Sequence, residues 1–423
     1  MRLLVLGGGS AQLNLIRRAK ALGDFVIVAD YLVDCPGGRI ADLHVPVSTF
    51  DAAGAIDAGQ KLGIEAVVTT GTDQPVLTAA RIAEALGLPF YMDSQTALAF
   101  TNKRVMKALF GKHNIPANNS VLIGREYTPE KLNGVRFPAV LKPVDSQGQR
   151  GIYLVDDAED VGRHIPDTLR YSREDRALLE TYYPSDEITV NGWVVDGHAT
   201  LLSVVDRLTI RNTRHIGICL CHHFPSVHLK QCRREIIDLT QRIVTSLGME
   251  NGPLYFQYLV GAEGLRVNEV AARIGGAYED LTMPIISGID ILGMLLSYVR
   301  TGSCDTRALY GYDVTRRDKY VSTQLFFCRP GEIARITPQD EMLRLTGVRD
   351  IYFAYGPGSE IPAIENATAR AGYMIIEGTS FTDMIDNVNR AFDVLAVTDT
   401  DGANLVIRYG EYPDKYYFGS PEA

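Results

Sequence analysis

Lys142 ends the apolar run Phe137-Pro138-Ala139-Val140-Leu141, and the polar loop Ser146-Gln147-Gly148-Gln149-Arg150-Gly151 follows at once. A lysine at a strand terminus carries a fixed ammonium, which is what a phosphate oxygen needs. Gly148 and Gly151 let the loop fold tightly and turn backbone N–H groups toward an anion. A second segment runs from Phe256-Gln257 to Glu269-Val270-Ala271-Ala272-Arg273, across the turn Gly261-Ala262-Glu263-Gly264. Gln257 and Glu269 offer hard oxygen donors on neighbouring strands, the type magnesium takes while keeping waters or phosphates in its other positions. Residues two apart on a strand share a face, so Val267, Glu269, Ala271 and Arg273 are expected to point together. For Gln257 to face Glu269, the turn must leave an odd number of unpaired residues or the hairpin must contain a bulge. Glu269 stands among Val270, Ala271 and Ala272, then Ile274-Gly275-Gly276. A carboxylate in such company is normally there for a partner.

Two further segments add groups to these. Leu178-Leu179-Glu180-Thr181-Tyr182-Tyr183 reads as a strand exit whose backbone could meet a purine, with Glu187 seven residues after Glu180 and able to accept from ribose hydroxyls. Asp206-Arg207, Arg211, Arg214 and His215 could bind a substrate carboxylate or deprotonate an amine; otherwise they form a solvated loop. Glu279 and Asp280, after Gly275-Gly276, could recognise an amino group.

These groups need a frame. Residues 1–95 alternate strand and helix: Leu3–Leu6, Leu13–Ala19, Phe25–Ala29, Ala66–Thr70 and Val76–Leu86. That rhythm predicts a doubly wound parallel sheet, which binds ligands where its strands end in loops. Gly7-Gly8-Gly9 with Asp30 suggests a dinucleotide turn, but Gln12 occupies the third glycine position, leaving a tight turn that could lend N–H groups to an anion. A helix is expected over Ala97–Phe110. From Phe137 the chain turns strand-rich, broken by the helix Arg233–Leu247. Tyr320–Phe327 and Ala371–Glu377 read as strands and Phe381–Leu395 as an amphipathic helix.

A net charge of −9 without a basic stripe excludes an ordinary nucleic-acid binder. No stretch reaches the apolar length of a membrane span, and the first residues read as a strand rather than a leader. The six cysteines include no C-x-x-C pair. Cys219-x-Cys221-His222-His223 alternates along an apparent strand with no second ligand pair, which points to reduced thiols beside surface or pocket histidines and to a cytoplasmic location.

In order and spacing these segments resemble the ATP-grasp superfamily, carboxylate–amine ligases that pass through an acyl phosphate. The resemblance implies an α/β chain of three parts: a pre-ATP-grasp domain over 1–95, the grasp over 96–310 and a C-terminal α+β domain over 311–423. It implies ATP with Mg²⁺ or Mn²⁺ as cofactors. Lys103 of Asn102-Lys103 and Lys142 take the phosphate-binding lysine positions, Ser146, Gly148 and Gly151 the covering loop, and Glu180, Thr181, Tyr182 and Tyr183 the adenine hinge. Glu187 takes the ribose position, Gln257 and Glu269 the metal positions, and Arg273 the arginine of the E-x-N-x-R signature, where with Lys142 it would serve catalysis. Ala271 replaces the signature's asparagine, so a second metal would rely on Glu269, water and phosphate. Gly275, Gly276, Glu279, Arg211, Arg214 and His215 are the substrate candidates. The wording Glu269-Val270-Ala271-Ala272-Arg273-Ile274-Gly275-Gly276 and the segment from Ala371 to Phe381 most resemble the L-amino acid ligase branch. A purine-biosynthetic ligase or a non-catalytic nucleotide-binding protein are the alternatives. The implied partners are a small carboxylate and a small amine, with no nucleic acid or membrane and with room for a homodimer.

Overall fold

The computed structural model describes residues 1–211, 216–315 and 318–408. Arg214 and His215 lie outside them, and Arg211 is described only as the last residue of a strand.

The first four strands, β1 (Arg2–Leu6), β2 (Phe25–Ala29), β3 (Leu43–Val45) and β4 (Ala66–Val68), form a parallel sheet in the order β3-β2-β1-β4. Leu3 and Val5 enter one hydrophobic core and Leu4 and Leu6 another, which is why this strand is apolar throughout rather than alternating. The strand order reverses between β1 and β4, so the loops after them, Gly7–Gly9 and Gly71–Asp73, flank the crevice where such sheets bind ligands. Gln12 explains the failed dinucleotide pattern. Its buried side chain donates to the Thr70 carbonyl (2.5 Å) and lies against Gly7, while Asp30 accepts the Gly8 and Leu32 N–H groups instead of meeting a ribose.

The single helix expected over Ala97–Phe110 is two, Ser94–Thr101 and Lys103–Lys112. Asn102 leaves the helical conformation and its side chain caps the second helix, accepting from Arg104 N–H and Val105 N–H. The break places Lys103 in the first turn of the new helix. An antiparallel four-stranded sheet follows, made of β5 (Ser120–Ile123), β6 (Ala139–Pro143), β7 (Tyr153–Val155) and β8 (Ala177–Thr181), in the order β5-β8-β6-β7. Ala139, Leu141, Ala177 and Leu179 face its core, leaving Val140, Lys142 and Glu180 on the opposite face.

The largest sheet is antiparallel and eight-stranded. It contains β9 (Ser185–Val195), β10 (His198–Arg211), β11 (Ile216–Phe224), β12 (Gly252–Gly261), β13 (Gly264–Ala271) and β14 (Tyr320–Phe326), and is completed by Gly372–Gly378 and Val348–Phe353. The expected loop at Asp206–Arg211 is part of β10. The helix Leu229–Leu247 buries Ile236, Leu239, Ile243, Val244 and Leu247 against this sheet's core. Pairing of β14 with β11 carries the C-terminal strands into the same sheet that holds the Gln257–Glu269 hairpin. Among the described residues no single helix is long and apolar enough to cross a membrane. Glu279–Ser287 and Ile291–Thr301 qualify only as a pair bent by 115°, and their apolar residues fill the main core.

Candidate active site

Two adjoining cavities share Lys103, Gln149, Ile152, Arg207, Gln257 and Glu269 as their common wall. The smaller, about 100 Å³, lies between the four-stranded and eight-stranded sheets. The larger, about 520 Å³, opens toward the N-terminal sheet and the C-terminal strands.

The wall between them is set by a bulge. The β12–β13 turn leaves two residues unpaired, so an unbroken ladder would place Asn268 opposite Gln257. The register instead shifts between Gln257 and Tyr258, and Glu269 pairs with Gln257 while Asn268 becomes the extra residue. The shift resets the alternation. Val267 falls in the core rather than beside Glu269, which corrects the expected grouping, and Val270 and Ala272 are core residues too. Glu269 and Arg273 line the cavities, and Asn268 joins Glu269 and Gln257 on the wall of the smaller one. Ala271 is buried opposite Tyr255 and contributes no cavity surface, so the amide beside Glu269 comes from Asn268.

The lysines are paired in advance. Lys103 Nζ lies 2.7 Å from Glu269 Oε1 and donates to the Ser146 carbonyl at 2.9 Å, tying the β12–β13 hairpin to the loop after Lys142. Burial opposes charge on both partners, but each carboxylate–ammonium attraction prevails: Lys103 is held above its ordinary pKa and Glu269 below. Glu180 lines the smaller cavity. Its carboxylate is buried between Lys142 and Lys107, which contact different oxygens. Lys107, one helical turn after Lys103, was missed although four-residue spacing on a helix could have found it. Burial would raise the Glu180 pKa, but the two ammonium groups overcome it and hold it at about 2. At Lys107 burial wins, aided by Lys142, and its pKa falls. Two buried lysines thus share one carboxylate, and of the three Lys142 and Glu180 line the smaller cavity.

Thr181, Tyr182, Tyr183 and Glu187 line the smaller cavity. Thr181 N–H and Tyr182 N–H are bound to the Asn119 and Pro138 carbonyls, whereas Tyr183 N–H makes no hydrogen bond among the described residues. Glu187 is ion-paired with buried Arg207, whose Nη2 also donates to the Gly217 carbonyl at 2.7 Å. The loop after Lys142 is folded down: Gln147 Oε1 accepts Asp73 N–H (3.0 Å) and the Gly148 carbonyl accepts Ala367 N–H (3.2 Å). Ser146 and Gly148 line the larger cavity. Gly151 does not; it has φ +69°, and a Cβ there would lie 2.7 Å from the Tyr171 ring.

On the larger cavity's floor, Arg273 is held by Asp73 (Nη2–Oδ1 2.5 Å, Nε–Oδ1 2.7 Å) and lies over the Tyr255 ring. Gly276 is there because the Gly71 carbonyl stands 2.5 Å from where a Cβ would lie, and Gly275 makes room for the Glu279 carboxylate. Glu279 lines no part of this cavity. It accepts Ala277 N–H and backs His222, with Oε1 3.3 Å from Nδ1. The Cys219–His223 stretch does not simply alternate: a bulge at Leu220 puts Cys219 and His222 on the cavity wall together. Burial favours a neutral ring at His222, but Cys219 and Glu279 outweigh it and raise its pKa to about 9. Burial likewise opposes a Cys219 thiolate, yet His222 and Arg207 draw its pKa below the ordinary value. Sequence spacing could not show this group, because a bulge carries no fixed sequence signal. Asp280 accepts from Asn14 Nδ2 (2.8 Å) and is pushed up by burial to about 7.

Residues 135–279 match the model of the ATP-grasp domain, the stretch that holds Lys142 and the β12–β13 hairpin. The chain contains an ATP-grasp domain. Residues 324–398 match the L-amino acid ligase C-terminal domain 2. It is 21% identical over 376 residues to dapdiamide A synthase of Enterobacter agglomerans, covering 84% of this chain and 87% of that protein. The structure of an L-amino acid ligase from Bacillus licheniformis superposes with a TM-score of 0.79 at 18% identity, over 94% of this chain and 98% of that one, which shows a common fold. The chain also matches an uncharacterized protein of Sinorhizobium fredii at 23% identity over 272 residues, spanning about half (52%) of its length.

Proposed function

We propose that this chain is an ATP-dependent carboxylate–amine ligase that forms an amide or peptide bond through an acyl phosphate, releasing ADP and phosphate, with an amino acid among its substrates. The observation that carries the reading is the pair of cavities meeting at Lys103, Gln257 and Glu269. A nucleotide in the smaller one would present its terminal phosphate to a carboxylate in the larger. Val140, Leu259 and Tyr183 would sandwich the base, and Lys142, positioned by the Glu180 carboxylate it shares with Lys107, would neutralise phosphate charge. Hard oxygens at Gln257, Glu269 and Asn268 suit a divalent metal such as Mg²⁺ or Mn²⁺, which when bound would neutralise the phosphates further. The substrate carboxylate attacks the terminal phosphorus and ADP leaves. The amine then adds to the acyl carbon, and the tetrahedral intermediate expels phosphate. Arg273, fixed by Asp73, is placed to hold the acyl phosphate, and the protonated His222 to donate a hydrogen bond to negative charge on the same floor. The C-terminal match and the dapdiamide synthase relative favour the amino-acid branch over a purine-pathway one. Free thiols at all six cysteines accord with the proposed cytoplasmic setting. A phosphate-release screen with Mg-ATP over amino acids, singly and in pairs, tests the reading. Release that needs both an acid and an amine supports it, and its absence for every combination rejects it.

A further inference from the structure

The cations lining the larger cavity are not equivalent. Lys103, Arg207, Arg273 and His222 each face a carboxylate: Glu269, Glu187, Asp73 and Glu279. Arg150 belongs to the phosphate loop and donates to that loop's own Gln147 carbonyl at 3.4 Å. Arg370 is different. It lines the cavity from the C-terminal part of the chain, has no carboxylate partner among the described residues, and keeps its Nε buried without a hydrogen-bond partner. A guanidinium donor withdrawn from water and left unpaired is unfavourable unless a ligand completes it.

The surroundings hold Arg370 in place. It follows the short turn Ala367–Ala369, whose first N–H is bonded to the phosphate loop at Gly148, and precedes the strand Gly372–Gly378. Its guanidinium carbon lies 6.0 Å from the centre of the Tyr278 ring. That ring is itself fixed: Tyr278 adopts φ +64°, its hydroxyl meets Ser10 Oγ at 3.2 Å, and it packs on Tyr373 at 3.7 Å between ring centres. A rigid planar fork with free donors is suited to a carboxylate.

Two carboxylates are conceivable in a ligase cavity. The one to be activated must reach the terminal phosphate, and so belongs at Lys103, Gln257 and Glu269. A carboxylate held by Arg370, on the wall contributed by the C-terminal strands, is one that survives the reaction. We infer that Arg370 binds the free carboxylate of the amine substrate, so that the acceptor is an amino acid and the product keeps an ionised C-terminus. This inference rests on the ligase reading above and specifies which amines it takes.

The test uses the full-length chain, Mg-ATP, and the acid and amino acid giving the fastest phosphate release in the screen. That amino acid is compared with its carboxamide and its decarboxylated amine. The native chain is expected to favour the free amino acid in kcat/KM by roughly 10- to 100-fold, the loss typical of a missing charge-assisted hydrogen bond. Arg370→Gln is expected to bring the acid-to-amide ratio close to one, chiefly through KM, and Arg370→Lys to restore part of it. The ratio compares two substrates on one protein, so partial misfolding does not imitate the result. A native enzyme that uses all three amines equally, or an Arg370→Gln enzyme that keeps the native preference, overturns the assignment while leaving the ligase reading intact. Failure of every acid and amine to release phosphate removes the ligase reading, and this assignment with it.

Discussion

Replacing Glu180 by Gln should destabilise the four-stranded sheet and weaken nucleotide binding together. The Glu180 carboxylate is buried between Lys107 and Lys142, whose side chains are each 7% exposed. A pKa held at about 2 against an ordinary 4.5 amounts to about 3 kcal/mol, at about 1.4 kcal/mol per unit. Removing one partner from a buried ion pair costs roughly 3–5 kcal/mol, so two independent routes agree. The sign follows from a depressed acid: the stabilisation is complete above pH 4.5 and disappears as the pH falls through about 2. Native-state hydrogen exchange of the β6 and β8 amides reads the effect locally, which suits a chain whose parts need not unfold as one. At pH 7 the variant should lose roughly 100-fold in protection, and the difference from the native chain should narrow steadily between pH 4.5 and 2. ADP affinity should change as well, because Lys142 loses the group that positions it. Equal protection at pH 7, or a difference indifferent to pH, would refute the argument that Glu180 is the shared counter-ion.

Two other perturbations separate the parts of the site. Glu269→Ala removes the carboxylate shared by Lys103 and the proposed metal, so phosphate release should fall by at least about 100-fold in a protein with native circular dichroism; normal release would reject the metal assignment. Glu279→Gln removes the carboxylate behind His222, so an NMR titration should show the ring's pKa falling from about 9 toward 6.5. Because the raised pKa stabilises the fold fully below pH 6.5 and loses that contribution as pH rises through about 9, the native chain should weaken across this interval more than the variant. An unchanged titration would show that Glu279 does not support the imidazolium.

Much of the architecture could be read from local pattern. The continuous apolar runs and intervening helices of the first 95 residues specify a parallel sheet, because a strand covered on both faces must be apolar throughout. Lys142 before a glycine-containing loop, and Gln257 and Glu269 flanking a short turn, mark the proposed phosphate and metal positions by residue type and order alone. Even the need for a bulge or an odd turn was legible, since strand alternation has a strict period of two. What remained for the tertiary structure was phase and partnership. Only the fold shows that the extra residue is Asn268, so that Val267 goes to the core and Asn268 joins Glu269 on the wall of the smaller cavity. Only the fold brings Lys107 to Glu180 across 73 residues, and Glu279 to His222 across 57. Burial then decides their protonation, because a charge leaving water must find an opposite charge or give up its own. Arg370 illustrates the limit: as an isolated arginine before a C-terminal strand it signals nothing, and it acquires meaning only where neighbouring cations face carboxylates and it has none among the described residues. Sequence sets which groups are present and how each strand alternates; which of them meet, and at what charge, is a property of packing.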